Sequence, residues 1–264
     1  MDFGIKKKRA LVCASSAGIG KGIATRLLEE GCKVVIMGRD IDRLNQAMKE
    51  LSGISKGKVF AVPCDLSVKE DIYALHRKSI SYLEGDIEIL VNNQGGPVLG
   101  DFKDVSKKDL DSAIATSLNS VFDLCKMVLP SMKENKWGRI INVLSISGKQ
   151  PLPGMVLSNI LRPAVLGLAK SIANEYAEFG VTVNSILPAN ILTNRTENIL
   201  HQRVAKENIS YEEALSLTAA GVPVKKMSPP EDCGSLAAFL SSERASFITG
   251  CVIPFDGGMS KSLV

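Results

Sequence analysis

The chain has 264 residues, 45% of them hydrophobic and 23% charged, with a formal net charge of +4. This is enough chain for one α/β domain with a sizeable core, and the balance excludes a disordered or coiled-coil protein. The basic excess is small, and its only run, Lys6-Lys7-Lys8-Arg9, reads as the solvated entry to a strand, so no nucleic-acid partner is expected.

No apolar run approaches the roughly 18 residues that cross a bilayer, and the N-terminus lacks the basic-then-apolar order of a secretory leader. Cysteines 13, 32, 64, 125, 233 and 251 form no C-x-x-C pair. Reduced thiols, a cytoplasmic location and no membrane partner are therefore expected. His76 and His201 have no metal-ligand spacing, and no metal is expected.

Short apolar runs alternate with helical patterns along the chain. Strands are expected at 10–14, 33–37, 59–63, 87–91, 139–143, 181–187 and 251–255. Helices are expected at 20–30, with Gly31 as stop signal, and at 43–51, 69–84, 107–135 (broken at Pro130) and 157–178. The last of these follows a proline-rich turn at 151–154. Ser210-x-x-Glu213 and Ser228-x-x-Glu231 carry capping-box spacing. Strand–helix alternation implies parallel βαβ units, hence a Rossmann-type doubly wound sheet with helices on both faces in one domain. The irregular stretch 190–227, inserted after the sixth strand, is expected to form a small helical lid over a substrate.

The first strand runs into Ala14-Ser15-Ser16-Ala17-Gly18-Ile19-Gly20 and then a helix. Glycines at such a turn let backbone approach a pyrophosphate, and the helix N-terminus offers free N–H groups to it. This segment resembles the T-G-x-x-x-G-I-G loop of the short-chain dehydrogenase/reductase family, with Cys13 and Ala14 in place of the threonine and first glycine. Further likenesses follow in family order. Cys64-Asp65-Leu66 resembles C-D-L/V, and Leu90-Val91-Asn92-Asn93-Gln94-Gly95 resembles L-V-N-N-A-G. Pro188-Ala189-Asn190-Ile191-Leu192-Thr193 resembles P-G-x-x-x-T. Ile248-Thr249-Gly250 and Asp256-Gly257-Gly258 resemble I-T-G and D-G-G.

The resemblance implies a nicotinamide cofactor contacted by Ser15, Ser16, Gly18, Ile19, Gly20, Arg39, Asp65, Leu66, Asn92, Gln94, Gly95, Arg162, Pro188 and Thr193. At the tip of the second strand, Gly38 takes the position of the acid that holds an NAD ribose, and Arg39 follows. That favours the 2′-phosphate of NADP over NAD.

The catalytic positions depart from the family. Ser145 matches the serine that orients the substrate oxygen, but Ser158 and Arg162 replace the Tyr-x-x-x-Lys pair, and Ser117 replaces the asparagine. Divergent members with a similar S-N-x-x-R segment resemble 3-oxoacyl-[acyl-carrier-protein] reductases. The resemblance implies hydride transfer between NADP(H) and a small carbonyl or secondary-alcohol substrate, with an altered proton donor, for which Lys149 or a water held by Ser145 and Ser158 is a candidate. The alternative is a non-catalytic NADP-binding sensor or oligomer partner. The family's habit of pairing the long helices after the fourth and fifth strands implies a homotetramer.

Overall fold

Aliphatic residues dominate every strand because the sheet is covered on both faces, as parallel sheets require. The computed structural model describes residues 2–55 and 58–262. Its first half contains β1 (Arg9–Val12), α1 (Gly18–Glu29), β2 (Lys33–Gly38), α2 (Ile41–Ser55), β3 (Val59–Pro63), α3 (Lys69–Leu83) and β4 (Ile89–Asn93). The second half contains α4 (Lys107–Ile114), α5 (Ser120–Glu134), β5 (Gly138–Val143), α6 (Val156–Tyr176), β6 (Val181–Pro188), α7 (Asn194–Glu207), α8 (Tyr211–Ala220), α9 (Pro230–Leu240) and β7 (Val252–Phe255).

The seven strands form one sheet in the order β3-β2-β1-β4-β5-β6-β7, each neighbour parallel. Alternate residues point to opposite faces. Leu11, Val35, Leu90, Ile140 and Val183 pack with α3, α5 and α6 on one side. Val12, Val34, Ile36, Val91 and Ile141 pack with α1, α2 and α9 on the other. On that second side two glycines let helices touch backbone to backbone. A Cβ on Gly22 would stand 2.6 Å from the Pro230 carbonyl carbon, and one on Gly234 would run into the Gly22 carbonyl.

Strand order reverses between β1 and β4, and the crevice beyond the carboxyl ends of those strands is where such sheets bind ligands. Five thiols, Cys13, Cys32, Cys64, Cys125 and Cys233, are buried, Cys251 is exposed, and none is bridged. Burial pushes the Cys32, Cys64, Cys125 and Cys233 thiols up to about 12.

Three local expectations differ from the structure. The long helix of 107–135 does not break at Pro130, which lies inside α5; it breaks at Ala115–Asn119, one turn of π-helix. A proline within a helix costs about 3 kcal/mol, whereas burying each of its neighbours Val128, Leu129 and Met132 returns about 1.5–3 kcal/mol, so packing holds α5 together. Ser228 does not cap α9. The helix starts at Pro230, whose ring presets the first helical turn, and Ser228 Oγ donates to Asp232 Oδ2 at 3.2 Å. Ser210 does cap α8, accepting from the Glu213 N–H at 3.1 Å. Residues Val156–Phe179, α6 with its 3-10 extension, have the length and mean hydropathy (1.2) of a membrane span, contrary to the expectation that no segment would. Here α6 lies along β6 and the turn after β5, with Leu157, Leu161, Val165 and Ala169 in the core.

Candidate active site

Two adjoining cavities of about 440 and 610 Å³ occupy the crevice and share Ala14, Gly95, Gly96, Pro97 and Arg43 in their walls. The smaller is bordered by the ends of β2 and β3, the larger by the end of β5, the start of α6 and the segment after β6.

The turn after β1 is built to admit backbone-close groups. Gly18 opens α1 at φ 56°, a left-handed conformation suited to glycine, and a Cβ there would come within 3.2 Å of Thr193 Cγ2. Ala17 precedes the helix and makes no side-chain cap, so the first N–H groups of α1 face the crevice without a protein partner from that position. A Cβ on Gly20 would strike the Ala14 carbonyl and stand 2.7 Å from Asn93 Nδ2; its role is close packing behind the turn. Ala14 holds φ 43°, a left-handed conformation that suits glycine, at a cost of about 1–2 kcal/mol. Asn93 fastens this turn to β4, Nδ2 donating to the carbonyls of Cys13 (3.2 Å) and Ala14 (3.1 Å).

Several expected contact residues do face the crevice. Ser16, Arg39, Asp65, Leu66 and Gly95 line the smaller cavity, and Gly18, Ile19, Gln94, Gly95, Pro188 and Thr193 line the larger. Three are not brought there, the first being Gly20, which packs behind the turn. Ser15 is fully buried, its hydroxyl donating to the Val12 carbonyl at 2.6 Å and accepting from the Met37 N–H at 3.0 Å, so it ties the turn to β2. Asn92 is fully buried beneath the sheet ends, its Nδ2 donating to Asn142 Oδ1 at 2.9 Å across the β4–β5 pair. The neighbour that reaches the crevice is Asn93, because successive strand residues face opposite sides.

The β2 tip favours a phosphate. A Cβ on Gly38 would lie 2.9 Å from Ser16 Oγ, so a side chain there would displace the Ser16 hydroxyl. Arg39 is exposed, its Nη1 a loose 3.9 Å from Asp65 Oδ2. Arg43, on the first turn of α2, borders both cavities and pairs with Asp40 at 3.3 Å. Sequence reasoning missed Arg43, although its spacing from Arg39 across a helix start was a usable signal. Burial pushes Asp65 up, but the Ser67 N–H and hydroxyl and the nearby Arg39 outweigh it and hold the carboxyl below its ordinary value.

Ser145, Ser158 and Arg162 converge on the larger cavity. Ser145 caps the start of the 3-10 turn after β5, accepting the Ser147 N–H at 3.2 Å. Ser158 and Arg162 sit one turn apart on α6 and are both buried. Ser158 Oγ lies 2.8 Å from Ser147 Oγ, a buried hydroxyl pair in which either can donate. Ser147, two residues beyond Ser145, escaped the sequence reading. Arg162 is 3% exposed, and its Nε and Nη1 have no hydrogen-bond partner among the described residues. Burial, then the charge of Arg195, pushes its pKa down to about 10, which leaves it cationic near neutrality. Gln94 is likewise buried with both amide atoms unpartnered. Ser117 lies in the π-turn and lines the smaller cavity, on the other side of Gly95. Neither Lys149 nor any of the four tyrosines borders either cavity. Of the stretch 190–227, only residues up to Ile199 border the larger cavity, with α8 packed on α7 outside it.

Residues 13–260 match the family described as enoyl-(acyl carrier protein) reductase. The chain is 30% identical to the NADPH-dependent reductase BacG of Bacillus subtilis, over 98% of this chain and all of that one. It is 33% identical to the D-beta-hydroxybutyrate dehydrogenase of Rhizobium meliloti, over 95% and 98% of the two chains. L-sorbose reductase from Gluconobacter frateurii, solved with NADPH and L-sorbose, superposes over the whole of both chains with a TM-score of 0.95 at 29% identity.

Proposed function

The chain belongs to the short-chain dehydrogenases/reductases, and from that premise we propose that it is an NADP(H)-dependent oxidoreductase acting on a carbonyl or secondary-alcohol substrate with a serine–arginine site in place of tyrosine and lysine. The observation that carries this reading is Arg162: a buried guanidinium in the wall of the cavity beside Ser145, with Nε and Nη1 unpartnered among the described residues. Such a group is expensive to keep without a ligand, and a nicotinamide ribose or a substrate oxygen would satisfy it. NADP suits the crevice because Ser16, Arg39 and Arg43 surround a place where Gly38 leaves room for a phosphate.

The nicotinamide would supply or accept the hydride at the substrate carbon. The protein's own part is orientation, charge and the proton. Ser145 donates a hydrogen bond to the carbonyl oxygen. Arg162, which holds its proton near neutral pH, stabilises the negative charge that develops on that oxygen. Ser158 passes its hydroxyl hydrogen to that oxygen and takes the hydrogen of Ser147 in return, and Ser147 is reprotonated by water. In the oxidation direction the same path runs backwards.

We further propose a homotetramer. Phe122 on α5 and Ile160 on α6 are about half exposed, which leaves apolar surface on the two helices that the family pairs.

The reading is tested by NADPH turnover across a panel of ketones, aldehydes and their alcohols. At least one pair is expected to turn over, with kcat/KM falling about 100- to 1,000-fold in Ser145→Ala. NADPH binding with no turnover across the panel overturns it.

A further inference from the structure

The wall of the larger cavity contains Arg43, Arg162 and Arg195 and no aspartate or glutamate. Arg43 has Asp40 as its partner at 3.3 Å, at the nucleotide end. Among the described residues, Arg162 and Arg195 have no such acid on this wall. Arg195 comes from α7 across the cavity, and its Nη1 rests against the Cα side of Gly96, two residues beyond Gln94. Its charge disfavours that of Arg162. Gln94, buried beside them with an unpartnered amide, offers two further donors and an acceptor.

Two cations on the wall of one cavity, one of them 97% buried and without hydrogen bonds at Nε and Nη1 among the described residues, repel each other. An anion on this wall offsets the repulsion. A neutral hydroxyl or carbonyl oxygen leaves the repulsion.

We propose that the substrate carries a carboxylate, drawn by the positive charge of this wall and held by Arg195, so that the enzyme reduces an oxo acid and Arg162 is left to the reacting oxygen. This rests on the oxidoreductase reading above and names the substrate class for it. The carboxylate recognised by Arg195 fixes which end of the substrate enters first. The reacting carbonyl then lies toward Ser145, on the β5 side of the same cavity.

The test uses the full-length protein with NADPH bound. NADPH is first titrated by its fluorescence. Pyruvate, 2-oxobutanoate and acetoacetate are then titrated into the complex, each beside its methyl ester. At least one acid is expected to bind at least tenfold more tightly than its ester. In Arg195→Met, an exposed position whose change spares the core, that acid is expected to lose about 10- to 100-fold in affinity. Its ester and NADPH are expected to change less than threefold. Equal binding of acids and esters, or no saturable binding of any acid, overturns the inference. So does a loss of NADPH affinity in Arg195→Met with the acid-to-ester ratio unchanged, which would assign Arg195 to the cofactor. Failure of NADPH itself to bind would overturn the oxidoreductase reading, and this proposal with it.

Discussion

Arg162 is a charge that the fold does not complete. Its pKa is pushed down to about 10 by burial first and by Arg195 second. Between about 10 and the ordinary arginine value the unfolded chain therefore binds more protons here than the native one, and the stability contributed by this residue rises with pH through that window. Below it, the native state carries the full penalty of a buried, unpaired cation. Replacement by methionine, of similar length and without charge, is expected to raise stability by about 1–4 kcal/mol in urea unfolding at pH 7. The same change is expected to lower kcat/KM by about 100-fold or more; a variant that loses both stability and activity would mark Arg162 as structural. Ser147 is argued to act through Ser158 as a positioning residue. Ser147→Ala and Ser158→Ala are each expected to cut kcat about 100-fold or more with the KM for NADPH unchanged. The double variant is expected to be little worse than either single one, and Ser147→Thr is expected to restore most of the rate. At the nucleotide end, Arg39→Ala/Arg43→Ala is expected to weaken NADPH about 10- to 100-fold and NADH less than threefold, read by fluorescence titration.

Among the elements, α1 carries the largest burden, because its N-terminus meets the crevice while its flank packs on α9 without side chains between. The Gly22 and Gly234 contact leaves no space for a methyl group in either helix. Gly234→Ala is expected to destabilise by about 1–3 kcal/mol in urea, with KM changed little, because the strain enters on the face away from the ligand. Strands and helices of this sheet were readable from residue pattern because burial on both faces writes long aliphatic runs into every strand. What resisted reading was set by tertiary packing or by one-residue geometry. Pro130 looked like a helix end, yet the core holds α5 through it. The break at Ala115–Asn119 has no proline or glycine to announce it. Asn92 and Asn93 carry the same side chain in the same motif, and only the phase of β4 decides which one reaches the crevice. Ser15 and Ser16 differ in the same way.

At the scale of the molecule, family order of motifs made fold and cofactor legible, whereas the constellation of Arg162, Arg195 and Gln94 joins α6, α7 and the end of β4, which no local pattern connects. More than half of the apolar window in α6 lies outside the core of one chain, with 39% of it buried. Light scattering at micromolar concentration is expected to give a mass near four times the 28.3 kDa of one chain, and Ile160→Asp is expected to give smaller species. A monomer for the unaltered protein would contradict the tetramer. The distribution of thiols has a separate use. Cys251 stands exposed while five others are enclosed, four of them held near 12. A maleimide pulse on the native protein should therefore stop at one adduct by mass spectrometry. Every further adduct would time an opening of the sheet, so the chain carries its own clock for global unfolding, readable without an introduced label.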